Sequence, residues 1–259
     1  MKRTMLALCA VLSLFAFAGC SKKAPVVIKS ADDLVGKTVG VQAGTTGEVY
    51  VEDIENVKIK SFRTGIDAAL DLRNGAVDAV VLDELPAKEI VKRNPSLEIL
   101  DIPFVTEDYA IAVNKGNPEL LESINKTLER IKADGTYDNM LSAFINTFDG
   151  SAKIPDEIET SGEPLKMGTN AAFPPFEWVE GKKVVGFDAT LAQNIAKDAG
   201  RKLVIVDQNF DGLIAALQAG AIDFIAAGMT ATDERRQNVD FSEPYFTSKQ
   251  VIIVRKTLE

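Results

Sequence analysis

Short apolar runs alternate with stretches of helical periodicity in the first part of the chain. The runs at residues 38–42, 57–62 and 77–82 have the length of strands, and the last is nearly continuous in apolar residues. Continuous apolar runs are typical of strands buried on both faces, as in parallel sheets. The spacing between these runs predicts helices at residues 46–54, 65–73 and 84–92. This alternation predicts an α/β fold.

The same alternation returns after residue 164. Apolar runs predict strands at residues 165–168, 203–206, 222–226 and 250–254, with helices at residues 189–199 and 212–217. A strand at residues 109–113 and helices at residues 120–132 and 137–145 are predicted before this block. Residues 148–164 contain glycines, prolines and serines without periodicity, which predicts a linker or surface loop between the two blocks.

Two segments in the two blocks are similar to each other. Leucine, glycine, alanine and aspartate recur at the same offsets in residues 71–78 and 216–223. In both, a helix is predicted to end at a glycine before a buried strand begins. Chance similarity of a common helix–glycine–strand pattern is the alternative. Two similar lobes would form a cleft between them, and such clefts commonly bind small ligands.

The first residues do not follow the α/β pattern. Lys2 and Arg3 precede an apolar stretch at residues 5–17, and two small residues then precede Cys20. This resembles a bacterial lipoprotein signal, which implies cleavage before Cys20 and a lipid anchor on that cysteine. A secretory signal with an incidental cysteine is the alternative. Either interpretation predicts an exported protein, located in the periplasm or at the cell surface.

Composition excludes several classes of function. The 259 residues include 29 Lys and Arg against 38 Asp and Glu, a net charge of -9 that disfavours nucleic acid as a partner. There is no histidine, which excludes Ser-His-Asp catalysis and histidine-ligated zinc. The two cysteines do not form a CxxC pair. We therefore expect neither a metal nor a cofactor.

Two loops that follow predicted strands carry polar and aromatic side chains. Residues 168–177 contain two prolines, which predicts a rigid loop that presents Asn170 and Phe173. Residues 227–236 carry Gly228, Thr230 and Arg235, whose planar guanidinium suits a carboxylate. Open α/β sheets bind ligands at the carboxyl ends of their strands, so both loops are candidates for one site. A structural turn and a surface arginine are the alternatives.

Two further strand ends complete the candidate site. Residues 40–47 combine glycines and threonines before a predicted helix, and N–H groups at a helix start attract anions. Their spacing matches neither common nucleotide-phosphate motif. Asp83 follows a buried strand, where it could receive an ammonium group or cap the next helix. Together these groups match a zwitterion, with its carboxylate at Arg235, its ammonium at Asp83 and its side chain among phenylalanines.

Long motifs in both blocks resemble one protein family. The segments GTNAAFPPFEW, GFDATLA, NFDGLIAALQAGAIDFIAAGMTATDERR and NVDFSEPYF, within residues 168–246, are similar to the first lobe of the polar amino-acid-binding proteins of ABC importers. The segments SADDLVGKTVGVQAGTTGEV, RNGAVDAVVLDELPA and ERIKADGTYDNMLSAFI, within residues 30–145, resemble the second lobe and the C-terminal return of that family. The resemblance implies a two-lobed periplasmic-binding-protein-like fold of type II.

The order of the segments differs from the order in the family. The family begins with the GTNAAFPPFE segment and ends with the GTYDNML segment, so the resemblance implies a circularly permuted chain. One covalent connection between the lobes is then expected near residues 102–109. At the other crossing between the lobes, the two ends of the chain are expected instead of a covalent connection. The predicted parts are a signal at residues 1–19, a tether at 20–29, lobe 2 at 30–105, a return to lobe 1 at 106–148, a linker joining the family's usual termini at 149–163, and lobe 1 at 164–259.

The resemblance also implies a role for each candidate site residue. The ligand carboxylate would contact Arg235, Thr230, the Gly228 backbone and Thr46. The ammonium would contact Asp83, with help from Gly228 and Thr230. The side chain would lie between Phe173 and Phe210, and its end would be met by Asn170, Gln42 and Asp188. Several relatives carry Asp at the position of Asn170, so a neutral ligand such as glutamine fits at least as well as arginine, lysine or histidine.

The resemblance implies a binding module. The lobes would close on a polar L-amino acid, and the closed monomer would dock on an ABC permease, with contact to the membrane only through the lipid anchor. No catalysis is needed. The alternatives are a periplasmic cyclohexadienyl-type dehydratase on the same fold and the ligand-sensing domain of a receptor.

Overall fold

The computed structural model describes residues 27–100, 105–146 and 155–256. The predicted signal, the lipidation site at Cys20 and most of the predicted linker lie outside these residues. No helix within the described ranges is both long enough and apolar enough to cross a bilayer.

The described residues form α/β elements in the predicted alternation. The strands are β1 Thr38–Gln42, β2 Lys58–Phe62, β3 Ala79–Asp83, β4 Leu97–Ile99, β5 Val105–Tyr109, β6 Ala112–Asn114, β7 Pro164–Thr169, β8 Ala172–Phe173, β9 Glu177–Glu180, β10 Lys183–Val185, β11 Lys202–Asp207, β12 Phe224–Ile225, β13 Val239–Phe241 and β14 Phe246–Arg255. The helices are α1 Thr46–Glu52, α2 Gly65–Asn74, α3 Glu84–Arg93, α4 Pro118–Ala133, α5 Thr136–Met140, α6 Phe187–Asp198, α7 Leu213–Gln218 and α8 Asp233–Arg236.

Lobe 2 is built on a sheet with the strand order β2-β1-β3-β14-β4, and β5 pairs with the first half of β14. Strand β1 runs parallel to β2 and β3, whereas β14 runs antiparallel to β3 and β4. All five residues of β3 are buried, as its nearly continuous apolar sequence predicts for a strand covered on both faces. Helix α2 ends at Gly75, whose φ of 78° is easily adopted by glycine.

Lobe 1 is built on a second sheet with the order β11-β7-β12-β6-β13. Strand β7 is parallel to β11 and β12, and β6 is antiparallel to β12 and β13. Helix α4 packs on α6, so residues 112–133 belong to this lobe. A small antiparallel sheet, β10-β9-β8, was not predicted by the pattern, and the two prolines lie between its strands β8 and β9.

Among the described residues, two chain segments connect the lobes. Strand β5 leads into β6 of lobe 1, and β14 follows β13 of lobe 1, while β5 and β14 pair antiparallel from Tyr109↔Phe246 to Val105↔Gln250. Strand β14 then continues into the sheet of lobe 2 between β3 and β4, and its Val254 packs in one core with Ile28. The prediction of a single covalent connection is therefore wrong, as is the assignment of residues 250–255 to lobe 1. The apolar run at 250–254 is equally suited to either sheet, so its sequence could not decide between them.

The described end of the predicted linker is bound along lobe 1. The Ile158 N–H donates to Gln193 Oε1 at 3.1 Å, and the Leu203 N–H donates to the Thr160 hydroxyl at 3.0 Å. These bonds satisfy backbone donors at the edge of the lobe. Residues 155–163 thus follow the surface of α6 and β11.

Candidate functional site

A pocket lies between the two lobes, and residues of both lobes line it. All of the predicted site residues except Asp188 line this pocket. The lining residues are Gln42, Thr45, Thr46, Asp83, Asn170, Phe173, Glu177, Phe210, Ala227, Gly228, Thr230 and Arg235. The strand ends of two different sheets therefore meet where the sequence pattern placed the site.

Arg235 reaches the pocket from lobe 1. Arg235 is part of helix α8. The N-cap residue of this helix, Thr232, accepts a hydrogen bond from the Arg235 N–H at 3.2 Å. Its guanidinium donates to the carbonyls of Thr230 and Gly44, both at 2.8 Å, and lies 5.4 Å from the centre of the Phe210 ring. No carboxylate of a described residue forms an ion pair with it. Burial lowers the pKa of the Arg235 guanidinium from its usual value, so this cation favours an anion in the pocket.

Asp83 reaches the pocket from lobe 2, at the end of β3. It occupies the N-cap position of α3 but makes no side-chain capping bond, so the capping alternative does not explain it. Its Oδ1 accepts hydrogen bonds from the Tyr109 hydroxyl and from Ser248 Oγ, the latter at 3.2 Å. Burial, with the nearby Glu107 carboxylate, raises the pKa of Asp83 to about 7. A ligand cation would therefore stabilise its ionised form.

Asn170 and Gln42 meet across the cleft at the other end of the pocket. Gln42 Nε2 donates to Asn170 Oδ1 at 3.0 Å, and Asn170 Nδ2 donates to the Gln208 carbonyl at 2.8 Å. Both side chains are buried. This end of the pocket is therefore polar and carries neutral amides at these two positions.

Gly228 lies in a conformation with a φ of 54°, and its N–H donates to Asp188 Oδ2 at 2.9 Å. Asp188 is fully buried behind the pocket rather than lining it, which corrects its predicted place at the side-chain end. Because the Gly228 N–H is engaged, a ligand carboxylate finds no free donor there. A backbone carbonyl in this position would suit an ammonium group rather than a carboxylate.

We expect Gly228→Ala to lower the free energy of unfolding by about 2–5 kcal/mol. The positive φ alone costs about 1–2 kcal/mol for a residue with a Cβ. A Cβ at this position would also lie 2.7 Å from Phe173 Cε1, and such overpacking costs about 1–3 kcal/mol. Chemical denaturation of both proteins measures the difference. A loss below about 0.5 kcal/mol, the size typical of a surface substitution, would contradict this prediction.

Thr46 is the first residue of α1, directly after the N-cap Thr45. The Thr45 hydroxyl donates to the Gln42 carbonyl at 2.8 Å and makes no capping bond to the first turn. The first-turn N–H groups of a helix have no partner within the helix. The Thr46 backbone is therefore available as a hydrogen-bond donor on the lobe 2 side of the pocket.

Comparison with known proteins places the chain in a family. The sequence profile of the bacterial extracellular solute-binding proteins, family 3, matches residues 20–147 and 165–259. The chain belongs to this family. As expected for the sequence motifs, the two matched segments flank the predicted linker.

Several individual relatives match parts of this solute-binding protein. A probable histidine-binding protein of Campylobacter jejuni is 50% identical over 92 residues, 36% of this chain and 36% of that protein. An arginine-binding extracellular protein of Bacillus subtilis is 43% identical over 98 residues, 38% of each chain. The chain thus spans less than half the length of these two curated relatives. The crystal structure of the arginine-bound form of domain 1 from TmArgBP is 46% identical, covering 36% of this chain and 80% of that one, with a TM-score of 0.32.

Some residues at the pocket were not predicted from the sequence. Thr45, Glu177 and Ala227 also line the pocket. Behind Asp83, the buried Glu107 of β5 accepts a hydrogen bond from Gln250 of β14 at 2.9 Å. Glu107 and Tyr109 stand two residues apart and so share one face of β5. A predicted strand beginning at Val105 would have revealed them. In the described part of the chain, no group of three or more acidic, cysteine or histidine side chains could hold a metal ion.

Proposed function

We propose that this protein binds the zwitterionic backbone of a polar L-amino acid between its lobes and delivers it to an ABC permease. The observation that carries the proposal is the placement of Arg235 and Asp83, which line one pocket from opposite lobes. Arg235 lacks an ion-pair partner among the described residues, and Asp83 is buried with hydroxyl partners. A carboxylate and an ammonium on one small molecule would satisfy both.

Closure of the lobes would complete the site. Arg235 of lobe 1 already bonds the Gly44 carbonyl of lobe 2, and Gln42 bonds Asn170 across the same gap. These bonds require the lobes to be close together, so a ligand that contacts both lobes would favour the closed form. The paired strands β5 and β14 would serve as the hinge. Two connections make the hinge more constrained than the single connection predicted from the sequence.

The chemistry of the distal end favours a ligand with a neutral polar side chain. Asn170 and Gln42 offer amide donors and acceptors, which suit the carboxamide of glutamine. The histidine- and arginine-binding relatives support a polar amino acid in general. Glutamine, histidine, arginine and lysine are therefore the first ligands to test.

The proposal extends to the exported form of the protein. It includes lipidation at Cys20 as the sole membrane contact, a location in the periplasm or at the cell surface, and a monomer. It also includes the circular permutation, in which residues 149–163 join the family's usual termini. The motif order supports the permutation, and so does the position of Ile28 beside Val254 in the core of lobe 2.

A thermal-shift screen tests the proposal. The protein is unfolded and refolded to remove any bound ligand, and its melting temperature is measured with each of the twenty L-amino acids. A ligand at about a thousand times its Kd adds about 4 kcal/mol of stability. This corresponds to a rise of about 8–16 °C in a domain of this size. No rise with any of them, in a protein that melts cooperatively, would contradict the proposal.

An enzyme is the second candidate, and the raised pKa of Asp83 is the observation that favours it. A buried carboxyl with a pKa of about 7 could serve as a general acid near neutral pH. A dehydratase acting on cyclohexadienyl acids would use such a group. Turnover of prephenate or arogenate by the purified protein, lost in D83N, would favour the enzyme over the binding protein.

A further inference from the structure

Two carboxyl groups lie close together in the interior of lobe 1, where Glu177 forms part of the pocket wall and Asp188 lies behind it. Glu177 begins β9 and Asp188 lies in the first turn of α6, and both side chains are fully buried. Among the described residues, Glu177 Oε1, Glu177 Oε2 and Asp188 Oδ1 are buried oxygens without a hydrogen-bond partner. The groups that face Glu177 are Asp188 and the Thr169 hydroxyl, with Asp207 adding negative charge.

This pair cannot carry two negative charges at neutral pH. No lysine or arginine of the described chain pairs with either carboxyl, and an isolated buried carboxylate is costly. Two adjacent carboxyls in such a site retain one proton between them. One proton would also give the unpaired oxygens a bond, since a protonated carboxyl can donate to its neighbour.

The hydrogen bonds show which carboxyl keeps the proton. Asp188 Oδ2 accepts from the Gly228 N–H at 2.9 Å and from the Tyr245 hydroxyl at 2.7 Å, and both bonds favour the ionised form. Burial and Asp188 raise the pKa of Glu177 well above its usual range, whereas burial raises the pKa of Asp188 only to about 6. Glu177 is therefore the donor and Asp188 the acceptor.

We propose that Glu177 and Asp188 share a single buried proton and act as a positioning pair that holds the backbone at Ala227 and Gly228 in its ligand-binding conformation. Both backbone residues line the pocket. Holding the Gly228 N–H at Asp188 fixes the peptide unit between them, because a peptide unit is planar. Carbonyls of this segment are then presented to the ammonium of the ligand. This last step rests on the proposed function, whereas the shared proton does not.

The shared proton is tested without ligand, using E177Q and a matched control, E180Q, which lies on the exposed end of the same strand. Because the pKa of Glu177 is higher in the folded state than in the unfolded state, its contribution to stability is lost as pH rises through the folded value. Glutamine cannot titrate. The quantity to follow is the difference in melting temperature, E177Q minus wild type. We expect this difference to increase by about 3–5 °C per pH unit above about pH 5. E180Q should follow the wild type throughout.

Infrared difference spectra between the wild type and E177Q provide a second readout of the same proton. A carbonyl stretch of a protonated carboxylic acid at neutral pH, absent in E177Q and present in E180Q, is the expected result. Parallel pH–stability curves for E177Q and the wild type, or an unchanged infrared band in E177Q, would overturn the shared proton.

The positioning role is tested with D188N, using L-glutamine, L-arginine and L-histidine as probes. Bonds to a charged acceptor are about twice as strong as bonds to a neutral one. We expect D188N to bind the best of the three probes at least about tenfold more weakly than the wild type does, with E180Q unchanged. Wild-type affinity in D188N would overturn the positioning role. If the wild type binds no amino acid, the proposed function fails, while the ligand-free experiments still decide whether the proton is shared.

Discussion

R235M is expected to weaken binding of the preferred amino acid by at least about 100-fold, which corresponds to about 3 kcal/mol. Arg235 is the cation that lines the pocket from lobe 1, and its guanidinium fork is suited to a carboxylate. Methionine retains a long apolar side chain but offers no N–H donor. Isothermal titration calorimetry with the amino acid that gives the largest thermal shift measures the loss.

The matched control for this prediction is R236M. Arg236 is the next residue of α8, is exposed and does not line the pocket. R236M should bind as the wild type does. The ligand-free melting temperature of R235M should change by only a few degrees, because the variant loses hydrogen bonds to two carbonyls but no longer buries a cation. Binding by R235M within about threefold of the wild type would show that the carboxylate does not meet Arg235.

The second large effect is expected at Asp83, where binding should be linked to proton release. The pKa of Asp83 is about 7 without ligand, and an adjacent ammonium favours the carboxylate. Ligand binding therefore lowers this pKa. Below about pH 7 the affinity should rise with pH, by up to about tenfold per unit, and above it the affinity should level off. D83N should lose this dependence and bind at least about 100-fold more weakly above pH 7.

Stability without ligand should respond to Asp83 in the opposite direction. Its folded pKa is raised, so the protonated carboxyl contributes stability that is largest below about pH 4 and is lost as pH rises through about 7.

Calorimetry in two buffers with different heats of ionisation measures the proton released on binding. The control is D53N, because Asp53 is exposed at the end of α1. Affinity that falls as pH rises from about 5 to 7 would contradict the assignment of Asp83 to the ammonium.

Local patterns predicted many of the elements because their causes are local. Strand β1 has the predicted bounds, and α2 ends where a glycine follows its last periodic residues. The candidate residues could also be selected from the sequence, since α/β sheets bind ligands at the carboxyl ends of their strands. The pattern therefore selected Arg235 and Asp83 separately, but only the fold brings the strand ends of their two sheets to one pocket.

Elements that depend on distant partners were predicted less well. Residues 109–113 were predicted to form one strand, but β5 ends at Tyr109 and β6 begins at Ala112, because the chain leaves one sheet and enters the other there. The pattern did not show β9 and β10, whose residues are largely exposed or half-buried after Glu177. The polarity of a residue indicates whether it is buried or exposed, but it does not indicate which strand pairs with the strand that contains it.

By itself, the sequence determined the α/β class, the family through its long motifs, and the set of residues that can meet a zwitterion. Only the tertiary structure decided that β14 belongs to lobe 2 and that two segments join the lobes. It also decided that Asp188 lies behind the pocket, next to the pocket-lining Glu177, and accepts a hydrogen bond from the Gly228 N–H. The physical reason is the same in each case. Motifs and periodicity indicate the local structure and the side-chain chemistry of a segment. Sheet pairing and the sharing of a buried proton depend on which distant groups the fold brings into contact.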